Sequence, residues 1–107
     1  KDIKSISAGN TFLVGLKNDG TVVSVGYSAL GGTNVSDWKD ITAITSVNEY
    51  TIGVKSDGTV IAVGNNDDGQ CDVSEWTDII KISACRHNTY GIKSDGTIVV
   101  AGRDLEE

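Results

Sequence analysis

The stretch GLKNDGTV at residues 15–22 returns as GVKSDGTV at 53–60 and as GIKSDGTI at 91–98. Each copy places an Asp-Gly pair between two apolar runs, which is the strongest short-range signal of a β-hairpin. The four residues from Lys to Gly favour a type I turn closed by a bulge, in which glycine adopts a positive φ without a Cβ clash. The three stretches therefore predict three hairpins, with Gly58 and Gly96 in the left-handed conformation.

The hairpins belong to a longer internal repeat of 38 residues. Overlaying residues 1–38 on 39–76 needs no gap and gives 17 identities, and overlaying 39–64 on 77–102 gives 11. The third copy is shorter, because Glu107 falls before the position that corresponds to Trp38 and Trp76. The 107 residues are too few for two domains. The sequence therefore predicts one domain, 1–107, made of three repeats: 1–38, 39–76 and 77–107.

Every repeat is predicted to contain three short strands. One lies ahead of the hairpin, as at 3–8, and two flank the turn, where Val22, Val23 and Val25 form a run rich in branched residues. The Gly- and polar-rich stretch 27–38 is typical of a long loop, in which a short fourth strand near Val35 is an open alternative. Since no run of ten residues has a helical period, we expect an all-β protein.

Adjacent apolar residues suggest that both faces of each sheet are covered. Val22 with Val23, and Val60 with Ile61, point to opposite faces because successive side chains of a strand alternate. A β-sandwich, the main alternative, would have apolar residues on one face and polar residues on the other. The pattern therefore predicts about three antiparallel blades of a β-propeller.

The repeat resembles that of the regulator of chromosome condensation (RCC1) superfamily. The residues that carry the likeness are W-x-D-I-x-x-I at 38–44, the hairpin at 53–60, and VGNNDDGQ at 63–70. The DVSEW sequence at 72–76 is similar to the bacterial branch of the family. The resemblance implies a propeller whose full ring usually has seven blades.

The resemblance also carries functional expectations and departures. The family includes exchange factors for a small GTPase and bacterial inhibitors of β-lactamases. The acidic composition of this chain argues against the exchange-factor function. Where the family often has His in the second strand, this chain has Phe12, Tyr50 and Asn88, and Gly9 becomes Val47 in the second repeat. These differences weaken a transfer of function but not of fold.

Three blades leave two flat apolar faces open, because stacked repeats bury their faces against neighbours. We therefore expect either a fragment of a longer ring or a subunit that completes a ring by self-association through the blade faces. Two copies would give an oligomeric ring of six blades, within the range of four to eight that propellers use.

Composition excludes several classes of partner. The chain has 15 acidic and 9 basic residues, a formal net charge of -6, and 38% apolar residues. A nucleic-acid partner is not expected, because it requires a basic footprint. A membrane partner is not expected either, since no apolar run is long enough to cross a bilayer. The compartment is not indicated.

The loops between the first and second strands are the predicted partner-binding site. They occupy the same position in each repeat and should meet at one end of the stack. Aromatic, Arg and amide side chains there suit recognition of another protein. For Phe12 and Tyr50, burial is the open alternative. The predicted site, with two residues of the loop that follows the third strand, is Thr11, Phe12, Glu49, Tyr50, Arg86, His87, Asn66 and Asp67.

No catalytic or cofactor site is predicted. The single His87 has no nucleophile motif beside it, and the turn aspartates have a structural role as acceptors of backbone N–H groups. A calcium-loop template over 64–75 fails, since Gly64 has no ligand at its first position. Cys71 and Cys85 are predicted to be free thiols. Trp38 and Trp76 are predicted to pack between blades, with an exposed aromatic anchor at an interface as the alternative.

We therefore expect a non-enzymatic scaffold that binds a protein partner through its loops. The alternatives are a structural assembler with no ligand of its own, an enzyme-inhibitor-like binder, and, more weakly, a carbohydrate binder.

Overall fold

The computed structural model describes residues 2–102, which form nine β-strands in three separate sheets. Within each sheet the strands are antiparallel and neighbour one another in chain order. The described residues include no helix, and so none that could cross a membrane. The expected all-β architecture is confirmed. Blade 1 contains β1 (Ile3–Ala8), β2 (Phe12–Lys17) and β3 (Val22–Gly26); blade 2 contains β4 (Ile41–Val47), β5 (Tyr50–Lys55) and β6 (Val60–Gly64); blade 3 contains β7 (Ile79–Ala84), β8 (Asn88–Lys93) and β9 (Ile98–Gly102).

The repeated Asp-Gly turns form as predicted. In blade 2 the Gly58 N–H donates to the Lys55 carbonyl at 2.9 Å and the Lys55 N–H donates to the Thr59 carbonyl at 2.8 Å, the pattern of a type I turn closed by a bulge. Gly58 has a φ of 87° and Gly96 one of 89°. Asp57 Oδ1 accepts the Thr59 N–H at 3.0 Å and its hydroxyl at 2.6 Å, so the aspartate fixes the turn.

Each blade has two distinct faces, which the pairing register defines. Val14 and Leu16 of β2 and Val22 of β3 lie on what we call the front face of blade 1, toward blade 2. The face of blade 2 that meets them, its rear face, carries Ile41 and Ile44. Each aliphatic side chain buried in this way contributes about 1.5–3 kcal/mol. The front face of blade 2 packs on the rear face of blade 3 with an equivalent set: Tyr50, Ile52, Val54, Val60, Ile79, Ile82, Val99 and Ala101.

Trp38 closes the junction between blades 1 and 2. Its indole is 5% exposed and lies over Gly53 in the centre of β5, where an added Cβ would come within 2.8 Å of the ring. Trp76 covers Gly91 in the same way, at 2.9 Å. The predicted packing of Trp38 between blades is confirmed, and the glycine opposite each tryptophan provides the space for the ring.

Backbone hydrogen bonds tie the first two hairpin turns to the start of the following blade. The Ile41 N–H donates to the Gly20 carbonyl at 3.0 Å, and the Ile79 N–H donates to the Gly58 carbonyl at 3.0 Å. Within blade 2, the Ser56 N–H donates to the Asp40 carbonyl at 2.8 Å. Asp40 has a φ of 62°, a conformation that Asp tolerates better than most side chains. The recurrent Asp-Ile of the sequence is therefore the corner at which the chain enters a new blade, and this end of the molecule is called the turn end below.

The open alternative of a fourth strand near Val35 and Ser36 is wrong, since neither residue belongs to a strand. The Val35 N–H donates to the Thr33 carbonyl at 2.9 Å, and the Trp38 N–H donates to the Val35 carbonyl at 3.0 Å. These local bonds use the backbone groups that a strand would need. Val35 is buried as the anchor of a turn, which explains its apolar character.

Candidate functional site

The loops between the first and second strands of the blades come together at the end opposite the turn end. We call this surface the loop rim: residues 9–11, 48–49 and 85–87, with the loops that follow the third strands, 27–32 and 65–70. The Asn10 N–H donates to the Asn48 carbonyl at 2.7 Å, and the Tyr50 hydroxyl donates to the Cys85 carbonyl at 2.5 Å. These bonds cross from blade 1 to blade 2 and from blade 2 to blade 3.

A polar side-chain bond joins the loop after the third strand of one blade to the first loop of the next blade twice on the loop rim. The Ser28 hydroxyl donates to Glu49 Oε1 at 2.5 Å, from the loop after β3 to the loop before β5. One repeat later, His87 Nδ1 lies 2.6 Å from Asp68 Oδ2. Because an ionised carboxylate only accepts, Nδ1 carries the proton. Glu49 and His87 hold the same position of the repeat, whereas Asp68 lies two residues beyond the counterpart of Ser28. Each bond fixes a loop of one blade to the next blade.

The second of these loops is braced from within. Asn66 Oδ1 accepts the Cys71 N–H at 2.7 Å, and Asn66 Nδ2 donates to Asp72 Oδ1 at 2.9 Å. Asn65 Oδ1 accepts the Asp67 N–H at 2.9 Å, which forms an Asx turn. The loop therefore presents its exposed carboxylates in a fixed arrangement.

Six of the eight predicted site residues lie at the surface of the loop rim. Thr11, Arg86, Asn66 and Asp67 are exposed, whereas Glu49 and His87 are half-buried by the bonds described above. The Thr11 hydroxyl donates to the Tyr27 carbonyl at 2.6 Å. The structure therefore brings these six residues to one end of the molecule, where a partner could reach them.

The other two predicted residues are corrected, because Phe12 is 5% and Tyr50 0% exposed. Each is the first residue of the second strand of its blade. The Phe12 ring lies against Gly9 and Gly32 of its own repeat, whereas the Tyr50 hydroxyl reaches the carbonyls of Cys85 and Asn88 in the next blade. They support the loop rim from below and offer no contact surface.

Several polar residues that support the loop rim were missed in the sequence. Thr51 donates to the Gly32 carbonyl at 2.8 Å, and Thr89 to the Gln70 carbonyl at 2.8 Å, each from one blade to the loop of the blade before it. Gln70 is fully buried, and its amide nitrogen lies 3.4 Å from the Arg86 carbonyl. The signal that could have revealed the threonines is their recurrence 38 residues apart within apolar strands.

Two titratable groups beneath the loop rim are held neutral. Burial raises the pKa of Tyr50 to about 12 and that of Cys71 to about 11, where the nearby Asp72 carboxylate adds to the effect. Both cysteines are free, as predicted, with Cys71 half-buried and Cys85 exposed. Within residues 2–102, no three His, Cys, Asp or Glu side chains are grouped closely enough to hold a metal ion.

Comparisons with solved structures identify the architecture. One match is yeast RCC1 (Prp20), from its complex with Kap60, at a TM-score of 0.79 and 16% identity. The fold is that of an RCC1-like β-propeller. No family model and no curated protein sequence matches this chain.

Two further solved structures are similar to this chain. One is the CRINKLY WD40 ectodomain of the Arabidopsis thaliana receptor kinase ACR4, at a TM-score of 0.81 and 16% identity; the other is human WBSCR16, at 0.74 and 15%. The likeness covers 94% of this chain for Prp20 and WBSCR16 and 98% for CRINKLY. The chain spans 29% of the Prp20 chain, 44% of CRINKLY and 33% of WBSCR16, so the match is to a set of blades within larger propellers.

Proposed function

We propose that this chain is a non-catalytic scaffold that binds a protein partner through the loop rim. The observation that carries the proposal is the pair of cross-blade bonds, Ser28 to Glu49 and His87 to Asp68, which join the same two kinds of loop in consecutive blades and hold them in place. A surface that is ordered before binding loses little conformational entropy on association. The bacterial character suggested by the sequence stays a prediction.

The exposed chemistry of the loop rim favours a polar partner with basic groups. Asp67 is exposed on the braced loop and Asp72 is exposed just beyond it, and the whole chain has a net charge of -6. Arg86 adds one positive side chain on the adjacent loop, which allows a paired contact with a carboxylate of the partner. Complementary charge of this kind accelerates association and selects among partners.

Solved relatives of the fold support a binding role by analogy. Yeast Prp20 was crystallised with Kap60, and a second Prp20 structure is described together with its binding to Gsp1p and histones. Those partners belong to Prp20. What we carry over is the kind of use, in which propeller blades present a surface to other proteins.

Site-specific photocrosslinking tests the proposal. A photoreactive residue replaces Asp67 or Arg86 at the loop rim, and in control variants it replaces Ser56 or Asp95, which are exposed at the turn end. We expect one protein to be crosslinked from both loop-rim positions and from neither control position. That protein, once purified, should bind the double variant Asp67→Asn/Arg86→Ala at least about tenfold more weakly than wild type. This corresponds to a loss of about 1.4 kcal/mol of binding free energy.

Two results would contradict the proposal. One is crosslinking to the same proteins from both ends of the molecule, which would indicate nonspecific contact. The other is an unchanged Kd for the double variant, with Ser56→Ala as the matched control, which would show that the partner binds elsewhere.

A further inference from the structure

The rear face of blade 1 is an exposed apolar surface. The side chains of Ile6 and Val25 are 64% and 68% exposed. More than a third of the surface of each neighbouring apolar side chain is also exposed: Ile3, Leu13 and Val23. The register places Ile6, Gly15 and Val23 in one row across the sheet, so these side chains share the face. A patch of this kind on a protein surface generally marks an interaction site.

The front face of blade 3 is the second exposed apolar surface. Ile98 is 64% exposed, and with Tyr90 and Ile92 it lines a groove of about 390 Å³ that also includes Lys81 and Ser83. Ile92 pairs with both Lys81 and Ile98, which places all three side chains on one face of the sheet. The molecule therefore exposes a rear face at one side and a front face at the other.

The repeat makes these two surfaces complementary, because a front face meets a rear face at both interior junctions. The rear-face residues Ile3, Ile6, Val23 and Val25 correspond to Ile41, Ile44, Ile61 and Val63, which pack against blade 1. On the front face, Ile92 and Ile98 correspond to Val54 and Val60, which pack against blade 3. Each open face has the side chains that already form a junction within this chain.

Polar details of the junction also have counterparts on the open faces. The Ser46 N–H donates to the Ser7 hydroxyl at 2.8 Å between blades 1 and 2, and the equivalent residues are Ala8 and Ser83, one on each open blade. Leu13 replaces the Thr that in blades 2 and 3 donates to a loop carbonyl of the preceding blade. Because the Leu13 side chain cannot donate a hydrogen bond, the rear face of blade 1 is suited to an apolar neighbour.

The fit differs from an interior junction at a few positions. Tyr90 and Val100 are larger than their counterparts in blade 1, Val14 and Ser24, whereas Asn88 is smaller than Phe12. Ile3 lies over Gly15 on the rear face of blade 1, with Cδ1 at 3.2 Å from an ideal Cβ, as Ile41 lies over Gly53 in blade 2 at 3.3 Å.

We propose that two copies of this chain associate head to tail, with the front face of blade 3 of each copy on the rear face of blade 1 of the other. The contact is heterologous, and it is made twice around a twofold axis, so it closes rather than continuing as a filament. The product is a ring of six blades, which is within the range that propellers adopt.

The test measures the mass of the 107-residue chain and of three variants by size-exclusion chromatography with light scattering. Ile98→Asp places a charge on the front face and Val25→Asp places one on the rear face. Leu30→Asp is the matched control: Leu30 is an exposed apolar residue of a loop, and Asp68 holds the equivalent position in the second repeat. Far-UV circular dichroism of each variant checks that the blades stay folded, as expected for exposed positions.

We expect wild type and Leu30→Asp to have about twice the 11.2 kDa mass of the chain. Each face variant should be monomeric, with dimerisation weakened by about a hundredfold or more, because a carboxylate is costly to bury in an apolar junction. An equimolar mixture of Ile98→Asp and Val25→Asp should form a dimer that is weaker than that of wild type, since one junction pairs two intact faces and the other pairs the two charged faces.

Three outcomes would overturn the proposal. A monomeric wild type at millimolar concentration would exclude self-association. A dimer that persists in one of the single variants would mean that two front faces, or two rear faces, pack against each other. Polymers that grow with concentration would exclude the closed ring.

Discussion

Removing the hydroxyl of Tyr50 should weaken the junction between blades 2 and 3. In Tyr50→Phe the ring stays in its fully buried site, as Phe12 does in blade 1, but the hydroxyl no longer donates to the Cys85 carbonyl at 2.5 Å or the Asn88 carbonyl at 2.9 Å. The Asn88 carbonyl keeps the Cys85 N–H, 2.9 Å away, so the main loss falls on Cys85. One buried hydrogen bond of this kind contributes about 1–2 kcal/mol.

The loss is large enough to measure by thermal and chemical unfolding. For a domain of about 100 residues, 1–2 kcal/mol lowers Tm by roughly 4–16 °C. Tyr27→Phe is the matched control, because it removes the same atom from a side chain that is 72% exposed. We expect the control to stay within about 0.5 kcal/mol of wild type.

Alkaline pH provides a second readout of the same hydroxyl. Burial raises the pKa of Tyr50 from the ordinary 10 to about 12. In the unfolded chain the phenol loses its proton first, so the stability that Tyr50 contributes is fully present below pH 10 and is lost as the pH rises toward 12. The difference in unfolding free energy between wild type and Tyr50→Phe should therefore shrink across this interval.

If Tyr50→Phe is as stable as wild type at pH 7, the Tyr50 hydroxyl does not stabilise the junction between blades 2 and 3, and this prediction is wrong. A difference between the two proteins that stays constant from pH 9 to 12 would refute the account of its ionisation.

Three further perturbations test the turns and the thiols. Gly96→Ala should lower the free energy of unfolding by about 1–2 kcal/mol, because the φ of Gly96 is +89°. Gly58→Ala should lower it measurably more in urea unfolding, since the added Cβ would also come within 3.1 Å of the next blade. Equal losses in the two variants would contradict this. Hydrogen bonds from the Thr59 hydroxyl and N–H lower the pKa of Asp57. At pH 7 Asp57→Asn should therefore be less stable than wild type, and the difference should disappear as the pH falls below 3.8 and Asp57 of wild type becomes protonated. A difference that does not depend on pH would argue against the role of Asp57 in the turn. Cys85 should react with a thiol reagent well before Cys71, whose pKa burial raises to about 11, and equal rates would contradict the half-buried position of Cys71.

The architecture could be predicted from the sequence because its signals are local. An Asp-Gly turn determines its own geometry, and the repeat at 38 residues shows that the same unit returns three times. Alternation within β3 correctly placed Val22 and Val23 on opposite faces, since Val22 is buried and Val23 is exposed. The gathering of loops at one end also followed from the repeat alone.

The errors arise where a distant part of the chain decides the environment of a residue. Phe12 and Tyr50 begin a strand beside a polar loop, a position that looks exposed from the local sequence. The Phe12 ring lies against Gly32 of the loop after β3, and Tyr50 lies against the next blade, and no local pattern contains either contact. Val35 looked like part of a strand because it is apolar, but its burial comes from a turn whose backbone groups are bonded locally.

The two proposed surfaces do not compete for the same atoms. The loop rim lies at the ends of the strands, whereas the open faces lie on the flat sides of blades 1 and 3. At the interior junctions, face packing and rim bonds occur together: the contacts around Ile41 accompany the bond from Ser28 to Glu49, and those around Ile79 accompany the bond from Asp68 to His87. A head-to-tail junction would therefore bring the Thr11 loop of one copy beside blade 3 of the other. Ring closure would extend the loop rim across both copies, so a partner that bridges that junction should bind the face variants more weakly than wild type, even though no loop-rim residue has been changed.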